Sequence, residues 1–467
     1  MAITRKDARV RLRSAPHAAA WRRLAVTTGA AAGIAIACGA CHHEPSQRLN
    51  VLIVLVDALR ADHLGAYGYG RATSPSFDAL AKRGTLFTRA HSVTSWTNPA
   101  VESLFTGQFP SVLQPGAPRF IAPDVQTLAR TFRAQGYRTG AIVASPVLPP
   151  ALGFAAGFDS YIGVSGWQQD MAPHPKEPAE RVNEAARAWL AQAPTSAPWF
   201  LYLHYMDTHW PYTPPLDTTR RFWRAPDNGL AEAVSALNAQ VRQWVADVPA
   251  DAAQPMADLY DAAIAHFDAQ LGQLLGAWES EGRLSNTVIC IVADHGEELG
   301  DHGGARHART LYEEVLRIPL LIVTPDMAQP THVDRLVQIT DVGRTLLFAA
   351  GIDTPFPGQA LLRSAAAAET ASFAELMPGF LSGAIHQYAL LDGPSKLILP
   401  PAGPPLLFDL QRDPGETHND APDHQPLVAQ LSRAVGRRAM PRQPDALPPP
   451  DPATRERLRA LGYDYGP

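Results

Sequence analysis

Cysteine is scarce: the 467 residues hold three. Two of them, Cys38 and Cys41, sit near the amino terminus, and only Cys290 lies in the body, inside the apolar run Val288-Ile289-Cys290-Ile291-Val292. That excludes an internal disulfide framework and makes Cys290 a core residue. Positive charge in excess is also missing, with 40 Lys and Arg against 45 Asp and Glu, a net charge of -5 and a pI near 6.3. A surface for nucleic acid is therefore excluded, and small solutes become the expected partners. There is no internal repeat. At this length the chain can bury a sizeable core without staples.

An apolar run of the roughly 20 residues that span a membrane is absent too. The longest candidate, Leu24 to Ala40, follows Arg5, Lys6, Arg9, Arg11, Arg13, Arg22 and Arg23 and ends in small residues and cysteine. This is a signal-peptide pattern, so residues 1–45 are expected to be an export segment. Ala-Ile-Ala-Cys38 or Cys-Gly-Ala-Cys41 is similar to a bacterial lipobox, which would place a lipid on one of these cysteines; an uncleaved anchor is the alternative. The expected location is the periplasm or cell envelope.

What the chain does have is alternation of strands and helices. Asn50 to Val56 is a continuous apolar, β-branched run of the kind buried on both faces of a parallel sheet. Strands are also expected at 84–91, 139–143, 199–204, 287–293 and 320–324, and helices near 76–83, 97–107, 127–135, 178–192, 230–244, 256–278 and 339–351. This order predicts an α/β fold with a mainly parallel sheet. After Leu362 an Ala run, Phe373-Ala374-Glu375-Leu376 and short strands at 388–391 and 396–399 predict a smaller antiparallel subdomain. The expected organisation is a main domain at 48–362, a C-terminal subdomain at 363–440 and a Pro-rich tail at 441–467.

Two features carry chemistry. Asp57, His204 and the pair Asp294-His295 all stand at or just beyond the ends of apolar strands, where ligands bind in such sheets. Carboxylates with imidazole suit a divalent cation such as Zn²⁺ or Mn²⁺, and an all-oxygen set suits Ca²⁺. The second feature is Ser95-Trp96-Thr97-Asn98-Pro99, with a hydroxyl at the start of a helix. The unpaired amides and the dipole there favour an anion beside Thr97, although a Thr at this place also serves as a plain cap.

Five stretches are then similar, in order and spacing, to the successive blocks of the sulfatase family: NVLIVLVDALRADH at 50–63, SPSFDALAKRGTLFTRAHS at 74–92, ADHGEELGDHG at 293–303, LYEEVLRIP at 311–319 and LFDLQRDPGETHN at 407–419. The resemblance runs from Asn50 to Asn419 and ends with Leu461-Gly462-Tyr463. It implies the doubly wound, alkaline-phosphatase-like α/β fold with a smaller C-terminal α+β subdomain. It also implies an ester hydrolase that uses one divalent metal ion, Zn, Mn or Ca. Matched residue by residue, Asp57, Asp294 and His295 fall on metal ligands and Thr97 on the nucleophile, which also faces the metal. His209 falls on a histidine that binds the ester group, and His307 and Arg309 on the cationic pair near the bound anion. His204 is a further candidate for substrate binding, and His302 for packing in its loop.

Three departures matter. The family carries Cys or Ser in a Cys/Ser-x-Pro-x-Arg motif and oxidises it to formylglycine; here Thr97-Asn98-Pro99-Ala100-Val101 supplies neither that precursor nor the arginine. Ala58 stands where many sulfatases have a second acidic ligand. No formylglycine is expected. A formylglycine hydrate releases sulfate by collapsing to an aldehyde, whereas a threonine ester must be broken at phosphorus or sulfur. The expected function is an exported hydrolase of sulfate or phosphate esters, on a small molecule, glycan or lipid, through Thr97. The alternatives are a phosphoryl-group transferase acting on an envelope lipid or glycan, and an inactive binding protein of the same fold.

Overall fold

The computed structural model describes residues 48–113, 121–164, 178–193, 197–226, 228–241, 247–327, 329–363, 370–376 and 387–438. The expected export segment with Cys38 and Cys41, residues 165–177 and the expected tail 441–467 lie outside the described residues.

The main sheet has eight strands: β1 (Asn50–Val56), β2 (Thr85–His91), β3 (Arg138–Val143), β4 (Ser160–Gly163), β5 (Trp199–Tyr205), β6 (Thr287–Ala293), β9 (Leu320–Val323) and β10 (Thr331–Gln338). Between β6 and β9 the chain makes a small hairpin of β7 (Glu298–Leu299) and β8 (Ala305–Arg306). The sheet order is β10-β2-β9-β6-β1-β5-β3-β4. All neighbours are parallel except β9, which runs against both β2 and β6.

Central β1 shows why the sheet forms. Val51 through Val56 are fully buried, and each such aliphatic side chain contributes roughly 1.5–3 kcal/mol. That burial exceeds what any one polar contact supplies, so apolar packing fixes where the strand ends. Helices cover both faces: Pro75–Ala81, Ala179–Ala191 and Leu216–Phe222 gather on the long Ala253–Ser280 helix, and Thr97–Thr106 packs on Leu128–Ala134 and Thr340–Ala349. Gly140 on β3 permits one close approach, since a Cβ there would fall 2.3 Å from the Trp189 ring.

The C-terminal sheet is antiparallel, in the order β11 (Ser372–Leu376), β12 (Gln387–Asp392), β13 (Ser395–Leu399), β14 (Leu406–Asp409). Val428, Leu431 and Val435 of the Gln425–Arg438 helix pack on Phe373, Leu390, Leu397 and Leu407. Neither this helix nor β10 is expected from the sequence. Lys396 of β13 is completely buried, with Nζ 2.8 Å from Glu313 and 2.9 Å from Glu416.

Candidate active site

Strand register assembles the first part of the site. Val56 of β1 pairs with Ala293 of β6, so the next residues, Asp57 and Asp294, emerge side by side. Both carboxylates and His295 are fully buried. After Asp57 the chain turns through Ala58 with φ 59°, a left-handed conformation that costs a non-glycine residue about 1 kcal/mol or more. The turn aims the Ala58 N–H at Asp294 Oδ1, 3.1 Å away, and the His295 N–H reaches the same oxygen at 2.9 Å. Asp294 Oδ2 has no hydrogen-bond donor among the described residues.

His295 is oriented by its own neighbour. Its Nδ1 lies 2.8 Å from the Gly296 carbonyl, which can only accept, so Nδ1 carries the proton and Nε2 a lone pair. Nε2 stands 3.4 Å from Asp294 Oδ2 and 3.7 Å from Asp57 Oδ1. Gly296 is required here, because a Cβ would fall 1.9 Å from the Glu314 carbonyl oxygen. Three electron-pair donors thus converge with their ligand atoms within 4.8 Å of one another. Around a tetrahedral ion with bonds near 2.0–2.1 Å, donor atoms sit about 3.3–3.4 Å apart. The set fits a divalent ion, whose charge would offset lone pairs that face one another across a buried space. Burial pushes the Asp294 carboxyl up, against the pull of His295 and of the two amide bonds.

Thr97 opens the Thr97–Thr106 helix as its first helical residue, and Trp96 holds the cap position without a side-chain capping bond. Fully buried, its Oγ1 lies 3.2 Å from His295 Nε2. The threonine hydroxyl is therefore directed at the aspartate and histidine cluster, with the helix N-terminus behind it. Val101 is buried in the same helix.

His204, at the end of β5, is also fully buried, with Nε2 3.6 Å from Asp57 Oδ2, the oxygen other than the one His295 approaches. Burial pushes its imidazole down to about 3, with the neighbouring His295 adding to the effect, so it is neutral.

His209 and His307 form the other wall. His209 Nδ1–H donates to the Trp210 carbonyl. The His307 ring centre is 4.3 Å from that of His295 and 4.9 Å from that of His209. Burial holds the His307 imidazole well below its ordinary range, with His295 and Arg306 adding to the effect. Arg309 lies two residues further on, and both its Nη1 and Glu298 Oε2 crowd over Gly304. His302 packs in its loop: Nδ1 is 2.6 Å from Glu314 Oε1, and the ring stacks on Tyr312 at 3.6 Å. Asp207 accepts from the Ala179 N–H at the start of the Ala179–Ala191 helix.

One residue of this site was not singled out from the sequence. Glu297, fully buried, contacts His307 Nδ1 at 2.7 Å and accepts from Tyr212 Oη at 3.0 Å and the Trp210 N–H at 3.2 Å. Burial raises its carboxyl, and His209, His295 and these bonds draw it back. The signal available was its place three residues after Asp294 in the 293–303 block.

Known proteins are similar to this chain over most of its length. The sulfatase family model matches residues 49–352. An uncharacterized sulfatase of Escherichia coli, YidJ, is 25% identical over 80% of this chain and 83% of its own length. Bovine arylsulfatase A is 25% identical over 83% and 85%, and mouse iduronate 2-sulfatase 24% over 69% and 72%. Among solved structures, the phosphonate monoester hydrolase of Agrobacterium radiobacter superposes with a TM-score of 0.67 at 23% identity, covering 84% of this chain and 95% of that one. A protein in complex with its substrate D-glucosamine-2-N,6-O-disulfate superposes with a TM-score of 0.69 at 19% identity, covering 86% and 100%. The match across residues 49–352 shows that the chain belongs to the sulfatase family of ester hydrolases.

Proposed function

We propose that the protein is an exported, metal-dependent hydrolase of sulfate or phosphate esters that uses Thr97 as its nucleophile. The observation that carries this is the Thr97 hydroxyl, buried and 3.2 Å from His295 Nε2 at the mouth of the Asp57, Asp294 and His295 cluster. Asp57, Asp294 and His295 would hold the divalent ion. When bound, it supplies Lewis-acid stabilisation of the charge that gathers on the ester oxygens and lowers the pKa of the neighbouring hydroxyl.

The chain's own groups account for the rest. Thr97 Oγ1 attacks the sulfur or phosphorus, forming one bond as the bond to the leaving alcohol oxygen breaks. The Thr97 proton passes to water as the oxygen attacks, water protonates the leaving oxygen on the opposite side, and His209 and His307 line the non-bridging oxygens. The first amides of the Thr97–Thr106 helix favour the anion. Water then attacks the same central atom, the Thr97 ester bond breaks, and the hydroxyl is restored. Formylglycine has no part in this route, because oxidation of a secondary alcohol gives a ketone rather than an aldehyde.

A sugar sulfate is a substrate class worth testing first, since a neighbour of this fold binds D-glucosamine-2-N,6-O-disulfate; a phosphate ester follows from the threonine. Export rests on the basic, apolar and cysteine-containing order of residues 1–45, with Cys38 or Cys41 as the lipid site. Turnover of 4-nitrophenyl sulfate and 4-nitrophenyl phosphate by metal-replete protein tests the nucleophile. Thr97→Ala should lose at least about 10³-fold in kcat, and Thr97→Ser should retain activity. Equal rates for Thr97→Ala and wild type would overturn the assignment. No turnover with either ester or with an added acceptor alcohol would favour a binding protein.

A further inference from the structure

We infer that Asn238, on the Leu230–Val241 helix, is a positioning residue: its side-chain amide clamps the main chain of Tyr212 and so fixes the loop that carries His209. What this does to the rate rests on the catalytic reading above; the clamp itself rests on geometry alone.

The helix buries one apolar stripe, Leu230, Val234, Leu237 and Val241, at spacings of four and three. Asn238 stands next to that stripe, half-buried, in the helix interior. Asparagine is a poor helix former, so its presence there is not explained by the helix itself. Its contacts explain it. Oδ1 accepts the Tyr212 N–H at 2.9 Å, and Nδ2 donates to the Tyr212 carbonyl at 2.7 Å and to the Val234 carbonyl one turn back at 3.2 Å. The amide thus pairs with both main-chain groups of one residue, as a neighbouring strand would. A main-chain N–H only donates and a carbonyl only accepts, so a flipped amide would set its oxygen against two carbonyls and its NH₂ against an N–H. None of these groups titrates, and the clamp is the same in every charge state of the site.

Tyr212 is fully buried, so its main-chain groups have no water to turn to. Pro211 before it has no N–H to give. Further back, the His209 N–H donates to the Met206 carbonyl at 3.1 Å and the Trp210 N–H to Glu297 Oε2 at 3.2 Å, while the Arg306 guanidinium lies over the Trp210 ring, 5.5 Å from its centre. Residues 209–212 therefore run from the hairpin, which holds Trp210, to the helix, which holds Tyr212. The Tyr212 hydroxyl returns to Glu297 at 3.0 Å and closes the frame. The His209 ring centre is 4.9 Å from that of His307, so a displaced loop alters the wall against which the oxygens of an anion rest.

An asparagine that only filled space or seated the helix would be replaced without loss by leucine, which has nearly its shape and a higher helix propensity. The clamp predicts otherwise, because leucine leaves a buried N–H and a buried carbonyl of Tyr212 without partners.

The experiment is ¹⁹F NMR of full-length, zinc-loaded protein carrying 5-fluorotryptophan, with Trp210 assigned by Trp210→Phe, beside calorimetric binding of inorganic phosphate. Asn238→Leu should move or broaden the Trp210 resonance. Phosphate should bind about tenfold more weakly or worse, and kcat should fall by about tenfold or more. Leu237→Ala, which thins the apolar stripe of the same helix and keeps the amide, should leave the Trp210 resonance where wild type has it. An unmoved resonance in Asn238→Leu would overturn the proposal. So would an equal displacement in Leu237→Ala, which would make the seating of the helix the cause. A displaced resonance with phosphate affinity and kcat at wild-type values would overturn the link to His209. Should Thr97→Ala retain full turnover, the catalytic reading fails, and the resonance and the phosphate affinity still decide the role of Asn238.

Discussion

Two buried charged clusters lie in this molecule, and they are built on opposite terms. At the seam with the C-terminal sheet, Lys396 faces Glu313 and Glu416, and Glu313 also meets His91 Nε2 at 3.0 Å. Each carboxylate has a cation beside it, and the Glu313 carboxyl is held well below its ordinary range because Lys396 and His91 outweigh the effect of burial. At the ends of β1 and β6, Asp57 and Asp294 are just as buried, yet the third member of the set is an imidazole that offers a lone pair. The first cluster is complete within the chain. The second joins two carboxylates to a lone-pair donor with no Lys or Arg in the set, the donor chemistry of a divalent-ion site, and that difference separates the two clusters more sharply than burial does.

The comparison can be broken most forcefully at Lys396. Lys396→Met leaves Glu416 without its lysine and Glu313 with His91 alone, and should cost about 3–5 kcal/mol of unfolding free energy, read by urea denaturation in EDTA. A loss under about 1 kcal/mol would mean that the lysine neutralises nothing of consequence. Asp294→Asn should move the other way under the same conditions. It removes a charge with no cation beside it, and its new NH₂ can donate to His295 Nε2, so a gain of about 1 kcal/mol is expected. The same variant should lose the stabilisation that zinc gives wild type, about 2.7 kcal/mol at a hundredfold excess over Kd. Destabilisation in EDTA together with an intact zinc effect would contradict the assignment of Asp294 to the divalent-ion site.

The smallest effect is a pH slope. Burial alone would lower His302, but the hydrogen bond and charge of Glu314, with Glu416 behind them, raise it from 6.5 to about 9. A group with a raised folded pKa adds stability that is fully present below its unfolded value and lost as pH rises through the folded one. Stability should therefore fall between about pH 6.5 and 9, and His302→Gln should flatten that limb; an unchanged slope in the variant would place the titration elsewhere.

How much of this was legible in the sequence follows from the same physics. Asp57 and Asp294-His295 were visible because continuous β-branched runs mark strand ends, and register does the rest. The antiparallel subdomain was visible through its short strands, but the Gln425–Arg438 helix was not, since only three of its residues, Val428, Leu431 and Val435, reach the core. Strand β10 escaped because its first half is largely exposed and carries no apolar run. Glu297 was hidden for a different reason. Its partners Trp210 and Tyr212 lie more than eighty residues away, and only the folded chain supplies the count of donors around it. Val101 and Ala58 were legible as departures from a family pattern, yet the left-handed turn at Ala58 that delivers an N–H to Asp294 has no signature in an alanine.

The most direct measurement is peptide mass spectrometry of metal-replete protein quenched during turnover of 4-nitrophenyl phosphate or 4-nitrophenyl sulfate. The account predicts a phosphoryl or sulfuryl group on Thr97, absent in Thr97→Ala. Sustained turnover with Thr97 unmodified at every quench time, or an adduct on another residue, would contradict it.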